Sequence, residues 1–501
     1  MLPTAIDVRE YGAVGDGNVL DTKAIQAAID ACAERGGVVH FPPGQYLTAS
    51  IRLRSNVGLH VGQGAVIVGS PRPEHYPLEP DEDMAGTRWG GGAEATLVKV
   101  LGWHHALIRA VDVENVTIFG EGEIDGQGGS YPKPEEGQPL ARPQLISTAG
   151  SRGISIRDVL LRDSTQWVLR LSLCKDVDVR GITIRSRCRL NNDGIDINSC
   201  DNVRISDCDI SCSDDAIVFK SLYPEPTRRC TVTNCLISTD CNAIKFGTES
   251  YGGFQDISVS NCTIYDTALG GLTFEIVDGG LMERITVSNI TMDNVGGPVF
   301  IRLGDRGRNV PGVLERQPTG RLRSVMISNV QASRAPTVGC AIAGLPGHPI
   351  EGVSLCNVSI SYRGGGTAEH MHRAVGECPD KYPEFDMFQE GWDPIVPQPS
   401  YGFFCRHVQG LRLSNIRVSL ESDDCRPAIL CEDVEDLEVF GLDAMTMPET
   451  AMRFKGVRNA MIHGCRARPG SKTFLLLTDS EHIHLVGNEL SAASKALKGP
   501  R

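Results

Sequence analysis

Two short stretches hold carboxylates at a spacing suited to proton transfer. Asn191-Asn192-Asp193-Gly194-Ile195-Asp196 is followed about one repeat later by Cys212-Ser213-Asp214-Asp215-Ala216-Ile217. If the chain coils with that repeat, Asp193 and Asp214 stack on one face and Asp215 adds a third acid. Like charges so crowded raise the proton affinity of one member and leave others ionised, which suits a general acid working beside a general base. Glycoside hydrolysis with inversion uses such a pair, with carboxyls about 6.5 to 9.5 Å apart to admit a water. The same aspartates could instead cap turns of a glycine-rich solenoid, or bind calcium as polysaccharide lyases of that architecture do. Spacing alone leaves these three readings open.

The elements that must position these acids are mostly strands. One helix is expected near the start: Asp21 and Thr22 can cap it, Ile25, Ala28, Ile29 and Cys32 fall on one face, and Gly36-Gly37 ends it. Beyond it the period is two, in short β-branched runs punctuated by glycine, aspartate and asparagine. The runs beginning at Val203, Thr231, Ile257, Ile285, Val325, Val353 and Leu411 share one pattern, with most spacings roughly 22 to 28 residues. A polar residue, usually asparagine (Asn234, Asn261, Asn289, Asn329, Asn357, Asn415), precedes an interior apolar one. An inward asparagine at each corner is expected to hydrogen-bond its neighbours about 4.8 Å above and below. Cysteine at 208, 235 and 262 alternates with isoleucine or valine there, as a small hydrophobe would. The fold expected is all-β: a single-stranded right-handed parallel β-helix over residues 1–501 as one domain. Its N-terminal cap covers about 1–45, with a helix over the open end, and a long loop insert runs from about 363 to 400. Shorter proline-rich interruptions fall at Pro71 to Pro80 and at Tyr131 to Pro143.

Composition narrows the partners. The 501 residues are 41% apolar and 22% charged, outside the disordered range, and the net charge of -13 disfavours nucleic acid or an anionic membrane. No apolar run reaches 18 residues and no leader-like segment opens the sequence, so a cytoplasmic location is expected as written, or a periplasmic or secreted one if a leader has been removed. Seventeen cysteines, an odd number without zinc-ribbon spacing, suggest reduced thiols. Gly120 to Gly128 lacks the following helix that a dinucleotide loop needs, and Trp103-His104-His105 has no nucleophile motif beside it. Self-association is left open.

Together these stretches resemble glycoside hydrolase family 28, the polygalacturonases and related pectin hydrolases. Asn191-Asn192-Asp193 is similar to that family's Asn-Thr-Asp motif, and Asp214-Asp215 to its aspartate pair. Val8 to Gly17, Asp21 to Ile29, Gly36 to Gly44 and Gly120 to Gly128 resemble its opening segments, and the likeness runs over roughly residues 5 to 305. The resemblance implies that Asp214 is the general acid protonating the leaving oxygen and that Asp193 and Asp215 activate the water. It implies no metal, no cofactor and no covalent intermediate.

The departures bear on the substrate. The family's Gly-His-Gly corresponds to Cys241-Asn242-Ala243, and its Arg-x-Lys, which holds a uronate carboxylate, to Thr273-Phe274-Glu275. Glu275 would repel a uronate, so a neutral sugar is expected at the cleaved bond, with Glu275 accepting bonds from hydroxyls. The competing reading brings replacement cations from Lys220, Lys245, Arg302 or Arg306, each of which is as readily a solvated surface residue. Asn191 and Asn242 complete the substrate-binding candidates on the coils. The insert adds His370 and Trp392, among His372, Tyr382, Phe385 and Phe388. A lid built from it would favour attack on chain ends, and His370-x-His372 lacks a third zinc ligand. The expected function is inverting, exo-acting hydrolysis of a pectin-like glycan. A calcium-dependent lyase and a non-catalytic glycan-binding solenoid are the alternatives.

Overall fold

The computed structural model describes residues 5–76, 105–133, 142–307, 315–381, 397–445 and 450–499. Its packing divides the chain into two compact units, Met1–Asp240 with Arg308–Glu315, and Cys241–Gly307 with Arg316–Arg501. Trp392, Tyr382, Phe385, Phe388, Trp103 and His104 lie outside the described residues.

In the first unit each coil contributes three short strands, and each strand pairs in parallel with its counterpart one coil on. One wall stacks Leu169, Ile195 and Ile217 in register, with Leu171, Ile197 and Phe219 beside them. A second stacks Val177, Val203 and Cys230, and a third Ile184, Ile210 and Ile237. All of these side chains are buried. Burial of each large aliphatic contributes about 1.5–3 kcal/mol, so every coil that repeats the pattern extends one apolar column. The helix Thr22–Ala33 buries Ile25, Ala28, Ile29 and Cys32, the four residues its periodicity selects. Its start differs from expectation. Asp21 does not cap the helix; its carboxylate accepts from the Val14 and Gly15 amides at 2.8 and 3.0 Å, tying the preceding loop instead.

In the second unit the long strands Phe254–Ile276 and Leu281–Leu303 pair in parallel, with a register shift between Thr267 and Gly270. The asparagine ladder is present here, but it runs along the outside rather than inward. The Nδ2 atoms of Asn289, Asn329, Asn357 and Asn415 each donate to the Oδ1 of the asparagine one coil earlier at 3.0–3.1 Å, and all are exposed. The reason is backbone geometry. Each sits at a corner with φ between 53° and 57°, a left-handed conformation that asparagine tolerates better than most residues, and that turn points the amide away from the core. Inward positions behave as expected: in the column Cys262, Ile290, Val330, Val358, Ile416 cysteine stands where isoleucine and valine stand on the following coils. All 17 cysteines are free thiols.

Candidate active site

The carboxylates meet in the first unit because parallel pairing fixes their register. The Val168 amide donates to Asp193 O at 2.8 Å, and the Gly194 amide donates to Asp215 O at 2.9 Å. Each coil therefore lays its loop onto the next. Ile195 pairs with Ile217, so the loop before one strand, carrying Asp193, abuts the loop before the next, carrying Asp214 and Asp215. The side chains differ in exposure: Asp193 and Asp215 are buried at 3% and 5%, while Asp214 is half-buried. Asn191, with φ 59°, is exposed and donates to Asp214 Oδ2 at 3.3 Å.

Three cations accompany the acids. Lys220 Nζ lies 3.1 Å from Asp193 Oδ2 and 2.8 Å from Asp196 Oδ1, with its ammonium 4.0 Å from the centroid of the Trp167 ring. Arg142 donates to Asn191 Oδ1 at 2.9 Å and to Leu190 O at 2.7 Å, close enough to feel the charges of Asp193 and Asp214. Arg170 is in register with Asp196. Burial pushes the Asp193 carboxyl well above the usual carboxylate range; Lys220 pulls it back, and Asp214, Asp196 and Asp215 push it further up. Asp196 is pushed up to about 6, again by burial against the pull of Lys220. Asp193 Oδ1 is buried and accepts no hydrogen bond among the described residues. The cluster thus offers a half-exposed carboxyl beside two buried ones, one of which keeps a bare oxygen.

Asp196, Arg142, Arg170 and Trp167 are absent from the sequence-based candidates. For Asp196 the signal was available: in Ile195–Asn198 the isoleucines face inward, so Asp196 and Asn198 face outward, as Lys220 does one coil later. For Arg142 there was none, because it stands in the proline-rich stretch from Tyr131 to Pro143 and reaches Asn191 from 49 positions away.

In the second unit the remaining candidates are engaged with other protein groups. Lys245 and Glu275 are buried and face each other at 3.9 Å, so Glu275 is not the exposed anion the sequence suggested. Asn242 is fully buried, and its Oδ1 accepts from the Gly270 amide at 2.9 Å and from Thr273 Oγ1 at 3.1 Å. Arg306 pairs with Asp278 and donates to Thr248 Oγ1 at 3.2 Å. Arg302, 1% exposed, donates to Gly344 O at 2.9 Å and to Glu377 O. Two coils on in the same register column, Arg406 donates to Val375 O at 2.7 Å and Gly376 O at 2.9 Å. These two arginines pin the segment Val375–Glu377 of the insert to the outer face of the unit. His370 is half-exposed in the short helix Ala368–His372, where its ring accepts from the Thr367 amide at 3.2 Å in a capping box. Beside the pinned segment lies a groove of about 730 Å³ whose lining includes His372, Phe404, Leu430, Arg453 and Lys455.

Comparison with known proteins identifies the family. The profile of Glycosyl hydrolases family 28 matches residues 88–378, and that of Rhamnogalacturonase A/epimerase, pectate lyase-like, matches residues 5–73. A probable polygalacturonase from Vitis vinifera is 29% identical over 368 residues, covering 70% of this chain and 73% of its own. An exo-poly-alpha-D-galacturonosidase from Dickeya chrysanthemi is 23% identical over 349 residues, covering 60% and 57%. Among solved structures, an exopolygalacturonase from Thermotoga maritima matches with a TM-score of 0.60 at 24% identity, covering 72% of this chain and 89% of its own. A family 28 exopolygalacturonase from Yersinia enterocolitica matches with a TM-score of 0.56 at 17% identity, covering 98% and 79%. The structural likeness carries the handedness of the coil, and the profile covers more than half of the sequence, the acid cluster included. A right-handed parallel β-helix with this match is a polygalacturonase-like glycosidase, and the chain belongs to glycoside hydrolase family 28.

Proposed function

We propose that this glycosidase hydrolyses a pectin-type glycan with inversion, removing sugars from chain ends, and that the sugar at the cleaved bond is neutral. The observation that carries the reading is the half-exposed Asp214 beside the buried Asp193 and Asp215 on consecutive coils. Asp214, reachable by a leaving oxygen, is the general acid. Asp193 and Asp215 hold and deprotonate the water, and burial, which raises the proton affinity of Asp193, makes it the stronger base. Inversion needs no covalent step.

The neutral sugar is supported by the candidate cations of the second unit. Lys245 is balanced by Glu275, Arg306 by Asp278, and the Arg302 guanidinium donates to backbone carbonyls. Recognition of a uronate would need a guanidinium or ammonium directed at it. End-wise action is supported by the exo-acting names of two of the proteins the chain resembles.

The test is a panel of neutral and uronate oligosaccharides, with products followed by proton NMR from the first turnover. The reading expects monosaccharide released from a neutral terminus, appearing first as the anomer opposite to the cleaved bond, at a rate unchanged by chelator. First appearance of the retained anomer overturns inversion. A preference for uronate termini overturns the neutral sugar, and an unsaturated product would make the chain a lyase.

A further inference from the structure

Lys220 was a candidate for gripping substrate. Its surroundings assign it another task, and the inference rests on the reading of Asp193 as part of the base. The ammonium sits between two carboxylates, 2.8 Å from Asp196 Oδ1 and 3.1 Å from Asp193 Oδ2, under the face of Trp167, and Lys220 is only 6% exposed. Asp196 itself is 0% exposed and Trp167 8%. A buried ammonium held by an anion and an aromatic face has little freedom to swing toward a ligand. One oxygen of Asp193 is therefore fixed by Lys220, and the other, Oδ1, is the buried oxygen that accepts no hydrogen bond among the described residues.

We propose that Lys220 is a positioning residue: anchored by Asp196 and Trp167, it holds Asp193 Oδ2 so that Oδ1 stays turned to the attacking water and the carboxylate stays an anion. Several charged groups face this pair. Asp193 feels Lys220, Asp214, Asp196, Asp215 and Arg142; Asp196 feels Lys220, Asp215 and Arg170. Two neighbours of Asp193 pull its protonation in opposite directions. Lys220 lowers its proton affinity and Asp196 raises it, so removing one or the other must move the acidic limb of the pH profile oppositely.

The experiment measures kcat and KM against pH for wild type, Lys220→Met, Lys220→Arg and Asp196→Asn, on an oligosaccharide that wild type cleaves. Lys220→Met is expected to lower kcat by about 100-fold or more with KM within about threefold, since base positioning acts on the chemical step. Its acidic limb should move up by about one pH unit as Asp193 loses its counter-charge. Lys220→Arg should restore part of kcat, and Asp196→Asn should move the limb down. A rise in KM with kcat preserved overturns the proposal in favour of a substrate contact, and an unmoved limb overturns it in favour of packing alone. If Lys220→Met does not fold, Asp196→Asn carries the test: a limb that stays put or moves up overturns the proposal. Asp193→Asn separates the layers. Wild-type turnover in that variant removes the base assignment itself, whereas its inactivity with unmoved limbs in the other variants removes only the role of Lys220.

Discussion

Lys220 in the first unit and Arg302 in the second are both cations on outward positions of a parallel sheet, and both are almost completely buried. Their partners divide them. Lys220 faces two carboxylates, one of them in the acid cluster, whereas Arg302 donates to backbone carbonyls of the adjacent loop and of the insert. A buried ammonium between acids tunes charge and orientation. A buried guanidinium with several N–H groups can instead close off carbonyls that a folded-over loop would leave unsatisfied. Outward placement on a strand is shared by the two; what lies across from each is not.

Substitution can break or sharpen this contrast. The largest effect is expected at the acids: Asp193→Asn should lower turnover by about 1,000-fold or more, because it removes the base, while circular dichroism and the melting transition show the coil intact. Comparable turnover in a folded variant would detach the cluster from catalysis. Arg302→Met should act on stability instead, lowering the unfolding free energy by about 2 kcal/mol or more as buried carbonyls lose a charged donor, measured by urea titration. Its pH–rate profile should keep the wild-type limbs; a shifted limb would erase the distinction from Lys220.

The third expectation concerns acid. Asp196 binds a proton near pH 6 when folded, against an ordinary 3.8. Between those values the folded chain holds more protons than the unfolded one, so this residue's contribution to stability falls as pH rises from about 4 to about 6. Melting temperatures across that window should show a smaller dependence in Asp196→Asn than in wild type, and an equal dependence would locate the titration elsewhere. The smallest effect belongs to the exposed ladder. Asn329→Ala should cost about 1–2 kcal/mol from the left-handed backbone and two lost side-chain bonds, and Asn329→Gly less, with kcat unchanged. Equal costs for the two would mean that the backbone conformation contributes nothing.

Much of this molecule was legible in its sequence. The period-two runs and their recurrence announced the coil, and Asp193, Asp214 and Asp215 announced the cluster, because one repeat in the chain becomes one step along the stack. The direction of the asparagines was not legible, since it depends on a left-handed corner that turns the side chain outward. The fates of Glu275, Arg302 and Arg306 were hidden as well. Glu275 lies 30 positions from Lys245 and Arg302 75 from Glu377, and a repeat pattern does not say which long-range partner a charge will meet. Arg142 was hidden for the same reason, its partner Asn191 standing 49 positions away.

The central claim is that acid and base are separate side chains, with Asp214 giving the proton to the leaving oxygen and Asp193, one coil earlier, among the groups that activate the water. Turnover of Asp214→Asn on two glycosides of the same sugar, one with a sugar leaving group and one with an acidic phenol, tests it most directly. A phenol that departs without protonation should be cleaved with a loss at least about 100-fold smaller than the loss on the sugar. Equal losses on the two substrates, or none on either, would contradict the assignment.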